Sequence, residues 1–437
     1  MKPAADTRSA DGTEPAAEQK INKRYVVALG GGMAVEWFDF SVYGLVAALL
    51  APHFFPGDDA VASTLSALAV FAVGFVARPL AAVFFGPLAD RIGHKKVLLA
   101  SITAMAASTL MMGLLPTYDQ IGLWAGVALV AARLIQGLST GIEQAVGNAA
   151  ALELAGPRNR GRFATTVSGS ILQAGILLAA LVCFLVSAVL GGEAMAEWGW
   201  RVPFIIGGLS GLVIFYLRRS LPETGATAEV EGPPRSSADV WRELWRHRLG
   251  LFAVIFVVAG TQVANYAWTV GMPNMARSVF GEDPTQVFAV MTGLGCIMVA
   301  VGPLAGSLCD RYTNSKIFTL FRLGLVPTLF TVLLYQQPGI WTFAVVVLGG
   351  GILVSLNQVL FNYIISTLMP DSCRTTGVAI GYGLAMTVFG GTASYVLVWL
   401  QRQDAFWAFP VYGAAVCIVS VVLYDAARRR GHVHIGR

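Results

Sequence analysis

Stretches of about twenty apolar residues follow one another along almost the whole chain, each the length an α-helix needs to cross a bilayer. "VVALGGGMAVEWFDFSVYGLVAALL" and "FAVVVLGGGILVSLNQVLFNYIIS" are two of them. In hydrocarbon, every backbone N–H and C=O must find its partner inside the protein, so spans of this length are helices. Only 13% of the 437 residues are charged, against 56% hydrophobic. That is about half the charge of an average soluble chain, so a polytopic all-α membrane protein is favoured over a large soluble α/β enzyme. The five cysteines show no CxxC spacing and read as small buried hydrophobes.

The hydropathy pattern predicts twelve transmembrane helices, near 24–50, 61–88, 97–115, 121–152, 163–190, 201–219, 249–276, 285–309, 316–335, 339–367, 375–400 and 405–426. Pro79 and Pro273 fall inside spans and are expected to mark bends. Of the 30 Lys plus Arg residues, Arg78 and Arg133 lie within spans, and Arg322 lies close to a helix start. Arg201, Arg277 and Arg402 follow odd-numbered helices, and the rest fall on the tails and after even-numbered helices. The positive-inside rule therefore puts both termini in the cytoplasm. The net charge of +5 is a topology signal, and no nucleic-acid partner is implied.

The expected organisation is a disordered tail (1–23), a six-helix bundle (24–219), a cytoplasmic linker (220–248), a second six-helix bundle (249–426) and a basic tail (427–437). Trp241, Leu244 and Trp245 among basic residues suggest a short helix at the inner membrane interface. His432 and His434 are too few for a metal site. The two halves also repeat one another. "GPLADRIGHKK" supplies Gly86, Asp90 and Arg91, and "GSLCDRYTNSK" supplies Gly306, Asp310 and Arg311, each displaced by 220 residues. Two parallel six-helix repeats are the architecture of a transporter that rocks about a midplane site.

These residues resemble the major facilitator superfamily. "GPLADRIGHKK" is similar to its loop 2–3 signature, with His94 in place of the usual Arg, and "RLIQG" (133–137) is similar to its fourth-helix motif. "VEWFDFSVYG", "ARPLAAVFFGPLADRIG" and "LELAGPRNRG" together resemble the metabolite:proton symporters, which include permeases for α-ketoglutarate, citrate, shikimate, proline and betaine. The family's "GGEWGGA" stands here as "GIEQAVGNA", which keeps Glu143 and departs at Ile142 and Gln144. The resemblance implies a bacterial-type inner-membrane protein, a functional monomer driven by the proton gradient without a cofactor. It also implies that Gly86, Asp90, Arg91, Lys95, Glu153, Arg160, Asp310 and Arg311 are gate elements at the cytoplasmic face.

On the first helix Gly32, Glu36, Asp39 and Tyr43 fall within roughly 60° of one another at 100° per residue. Carboxylates within a span are functional by default, and Arg78 at similar depth offers a counter-charge. Arg133, Gln136, Thr140 and Glu143 share a face of the fourth helix, so a water-filled, charged cavity is expected in the first half. Glu36, Asp39, Arg133 and Glu143 are the candidates for proton coupling. Arg78, Tyr43, Gln173, Asn265, Tyr266, Asn357, Gln358 and Tyr382 are the candidates for substrate binding. For each neutral residue in that set, a hydrogen bond between helices stands beside ligand contact as an open alternative. The charged residues have the alternative of an inert ion-pair network.

The reading is a proton-coupled symporter importing a small organic metabolite, with the arginines favouring an organic anion. Uptake of a zwitterionic osmolyte caged by aromatic rings is the alternative. Export by proton antiport ranks below both, because the fifth helix lacks the Gly-x-x-x-Gly-Pro signature of antiporters.

Overall fold

The computed structural model describes residues 23–92, 94–154, 170–219, 237–311, 314–370 and 373–431. The first half contains α1 (Lys23–Phe54), α2 (Ala60–Ile92), α3 (His94–Leu114), α4 (Trp124–Leu154), α5 (Ser170–Leu190) and α6 (Arg201–Arg219). The second contains α7 (Arg248–Ser278), α8 (Pro284–Arg311), α9 (Asn314–Phe330), α10 (Ile340–Thr367), α11 (Arg374–Arg402 with a π-turn inside it) and α12 (Ala408–Arg429). Among the described residues, ten helices are long and apolar enough to cross a membrane. They become eleven when the pair Gly192–Gly199 and Arg201–Leu217, bent by 59°, counts as one span. The 31-residue α4 packs beside α2 and α3.

Local chemistry explains where the helices begin and deform. Asp59 caps α2, its Oδ1 accepting from the N–H groups of Val61 (2.8 Å) and Ala62 (3.2 Å). Pro284 opens α8, where its missing N–H costs nothing. Pro273 cannot bond back to Thr269, and the π-turn Ala267–Gly271 sits immediately before it. Pro79 has no such effect: α2 runs through it without a break. A second π-turn, Met386–Gly390, interrupts α11 without any proline, which no sequence rule anticipated.

Large apolar side chains face outward, among them Trp341 (83% exposed) and Val189 (82%), as lipid contact requires. The halves meet along α5–α8 and α2–α11, and α1 packs on α7. Among the described residues, polar contacts join the halves at the Asp59 end of α2, at Asp59–Arg402 (2.7 Å), Ser187–Thr285 (2.7 Å) and Asn274 against the α1 backbone, and again midway along α2, where Thr387 Oγ1 donates to the Phe75 carbonyl (3.1 Å). Before α7, the helix Ser237–Arg246 buries Leu244 and leaves Trp241 and Trp245 exposed.

The tails at 1–22 and 432–437, the linker segment 220–236 and Arg160 lie outside the described residues. So do the side chains of Gly86, Asp90, Arg91, Lys95, Glu143, Glu153, Asp310 and Arg311, which fall on α2, α3, α4 and α8.

Candidate functional site between the two halves

Phe40 on α1 organises the charged centre. The Arg78 guanidinium sits 4.3 Å from its ring centroid and 4.8 Å from that of Phe75. Arg133 sits 4.5 Å from the Phe40 ring, 4.3 Å from Tyr43 and 5.2 Å from Phe71. Both cations therefore rest on ring faces, whose negative quadrupole partly replaces lost hydration. Arg133 is fully buried and Arg78 nearly so. Among the described residues, the Nε and Nη1 of Arg78 have no hydrogen-bond partner.

The carboxylates part company despite sharing one face of α1. Asp39 turns into the first half, where Thr109 on α3 donates to its Oδ2 at 3.1 Å. Its Oδ1 lies against Gly207 on α6, where any Cβ would collide with it. Glu36 lies within electrostatic reach of Tyr266 on α7, as do Arg78, Arg133 and Tyr382.

A small closed cavity of about 10 Å³, room for about one water, lies between the halves. Trp37, Phe40, Ser41 and Phe71 line it on one side, with Asn265, Tyr266 and Thr269 opposite. Among the described residues, the space between the halves at this level is no larger than this cavity. The closed halves press the aromatic rings together, and the charges lie behind those rings.

Other expected residues divide clearly. Among the described residues, both polar atoms of Asn265, the Tyr266 hydroxyl, Gln173 Nε2 and Gln358 Oε1 are buried without hydrogen-bond partners. Gln262, beside Asn265 on α7, is equally unpartnered and fully buried. Asn357 instead donates to the carbonyls of Phe321 and Leu353, both at 3.0 Å, and so ties α10 to α9. The Tyr43 hydroxyl donates to the Ala67 carbonyl (3.0 Å), leaving its ring to support Arg133. Tyr382 is half-buried and stacks on Phe361 with centroids 6.3 Å apart.

Two polar residues were missed. Thr109 looks like any hydroxyl in an apolar helix, and nothing in the sequence pairs it with a residue 70 positions away. Arg322 reads as a topology charge near a helix start. It is fully buried and donates to Val257 O (2.9 Å) and Thr261 Oγ1 (2.7 Å) on α7. Its place nine residues into α9, farther in than a snorkelling side chain needs, was the available signal.

The family profile described as Major Facilitator Superfamily matches residues 29–394. A putative proline/betaine transporter of Staphylococcus aureus (strain MSSA476) is 32% identical over 406 residues, covering 90% of this chain and 85% of the relative. The alpha-ketoglutarate permease of Escherichia coli (strain K12) is 29% identical over 432 residues, covering 98% and 99%. In fold, a crystal structure of a D-xylose-proton symporter superposes with a TM-score of 0.72 at 14% identity, covering 92% of this chain and 97% of that one.

Proposed function

Because the chain belongs to the Major Facilitator Superfamily, a group of transporters rather than enzymes, we propose that it imports a small carboxylate-bearing metabolite together with protons. It is a multi-pass protein of a bacterial-type cytoplasmic membrane. The observation that carries the reading is Arg78. A buried guanidinium with Nε and Nη1 unpartnered, beside the cavity between the halves, is costly unless an anion completes it. A carboxylate fits its paired N–H groups. Asn265, Gln262 and Tyr266 offer unpartnered neutral groups from the opposite half. In this reading the first half carries charge and proton, and the second supplies neutral hydrogen bonds.

The same proposal includes twelve spans with both termini in the cytoplasm, a functional monomer, and the proton gradient as sole driving force. Gly86, Asp90 and Arg91 at the end of α2 and Asp310 and Arg311 at the end of α8, with Lys95, Glu153 and Arg160, are assigned to the cytoplasmic gate. Closure at the Asp59 end of α2, opposite these helix ends, is compatible with a cavity that next opens toward them.

A second substrate reading has its own observation. Trp37, Phe40, Phe71 and Tyr266 line the cavity, an aromatic set suited to a quaternary ammonium. A relative carries the name proline/betaine transporter. A zwitterionic osmolyte would then place its carboxylate on Arg78 and its cation among the rings.

The test is substrate-triggered proton entry into proteoliposomes, with a panel of mono-, di- and tricarboxylates, shikimate, proline and betaine. Acidification with a carboxylate supports the anion reading. A response confined to betaine or proline moves the substrate to the osmolyte branch. Uptake of any member without proton movement rejects symport.

A further inference from the structure

We propose that Gln136 and Thr109 form a one-way hydrogen-bond relay that reports the protonation state of Asp39 to Arg133, and so to the substrate cavity. The proposal rests on the symport reading above. Three bonds make the relay. Arg133 Nη1 donates to Gln136 Oε1, Gln136 Nε2 donates to Thr109 Oγ1 at 3.0 Å, and Thr109 Oγ1 donates to Asp39 Oδ2 at 3.1 Å. The four residues come from α4, α3 and α1, and none is more than 1% exposed.

The direction of the relay is forced at its cationic end. A guanidinium has donors only, so Gln136 must turn its oxygen to Arg133 and its NH2 toward Thr109. Thr109 receives that bond and has one proton left, which it gives to Asp39. An ionised carboxylate is the natural terminus, because it only accepts.

Proton uptake at Asp39 forms a new O–H bond and removes one negative charge. With the proton on Oδ2, the carboxyl becomes the donor to Thr109 Oγ1, the Thr109 proton must rotate to another acceptor, and Gln136 then shares that oxygen with a second donor. With the proton on Oδ1, which lies against Gly207, the surviving bond to Oδ2 loses its charge assistance and roughly half its strength. Either event loosens Gln136 and with it the seat of Arg133. Arg133 shares the Phe40 ring with Arg78, and Phe40 lines the cavity. The proton thereby changes the substrate site without entering it. Among the described residues, the charged group tied to Asp39 through these bonds is Arg133 on α4; Arg78 on α2 shares the Phe40 ring with Arg133, and Glu36 and Tyr43 lie on α1 itself. In the same region α5 presents Gln173 and α6 presents Gly207.

The experiment compares the full-length wild type with Thr109→Val, Thr109→Ser and Gln136→Leu in proteoliposomes. The probes are labelled α-ketoglutarate and glycine betaine, and proton entry is recorded alongside uptake. Thr109→Val keeps the side-chain shape and removes the donated proton. It is expected to cut protons carried per substrate by about tenfold, while exchange at equal pH falls far less. Thr109→Ser is expected to restore coupling. Gln136→Leu breaks the next link and should give the same split, which keeps the test valid if Thr109→Val fails to insert. Wild-type coupling in both Thr109→Val and Gln136→Leu would overturn the relay, as would failure of Thr109→Ser alongside Thr109→Val. Wild-type exchange without any proton entry would overturn the symport reading itself.

Discussion

Asn274 on α7 donates its side-chain Nδ2 to the carbonyl of Gly44 on α1 across 2.6 Å, a bond that joins the two halves of the molecule. The Asn274 Oδ1 accepts from the N–H of Ala48, also at 2.6 Å. Gly44 C=O and Ala48 N–H are an i, i+4 pair of the α1 ladder, so the amide shares one helical hydrogen bond of its partner. The helices come this close because residue 44 is glycine. A Cβ there would lie 2.7 Å from Val270 Cγ2. Asp59–Arg402 joins the halves at the same end, but both side chains are over 40% exposed, and such pairs contribute little.

Asn274→Ala removes the shared amide while α1 keeps its own ladder. Loss of these bonds is expected to cost the closed end about 1–2 kcal/mol. A cysteine placed at cavity-lining Ser41 should then react about five- to thirty-fold faster with a membrane-impermeant thiol reagent applied from that side. An unchanged rate would remove Asn274 from the gate.

Asp39→Asn fixes the terminus of the Thr109 bond in a neutral state. Uphill accumulation is expected to disappear while substrate exchange survives, and Glu143→Gln should behave alike. The wild type should accumulate more as the outside is acidified, because external protons load the carboxylate. The Asp39→Asn profile should be flat with pH. Normal accumulation in both variants would exclude the pair from coupling.

Arg78→Lys keeps the charge and loses the planar fork that stacks on Phe40 and Phe75. KM should rise by about tenfold or more, since an ammonium reproduces neither the stacking nor the bidentate geometry. Tyr266→Phe keeps the ring and removes the unpartnered hydroxyl. Its KM should rise by a smaller factor with little change in maximal rate. Initial-rate uptake measures both, and an unaltered KM for Arg78→Lys would reduce Arg78 to a generic positive charge.

Gly207→Ala puts a methyl group into contact with Asp39 Oδ1 and 3.0 Å from the Phe38 ring. Overpacking of this kind costs about 1–3 kcal/mol. A lower melting temperature and loss of proton coupling are expected together. Full coupling in the alanine variant would show that Asp39 has freedom to move that the packing denies it.

The sequence by itself determined the succession of membrane helices and which few residues carry charge inside them. Those features are local: a span is about twenty consecutive apolar residues, and Glu36, Asp39, Arg78 and Arg133 stand out wherever their helices point. The expected boundaries 201–219 and 339–367 lie within a residue of Arg201–Arg219 and Ile340–Thr367 for this reason. Only the tertiary structure decided which polar groups meet. Helices apolar on every side carry no pattern that fixes their rotation, so the sequence cannot say that Asp39 faces Thr109 while Glu36 bears on Tyr266. Nor can it say that Asn357 is spent on α9, or that Asn274 reaches an α1 carbonyl 230 residues away. In lipid, burial of apolar surface does not orient one helix against another. Close packing at residues such as Gly44 and Gly207, and the need to partner each buried polar atom, set the rotations, and those are properties of all the helices together.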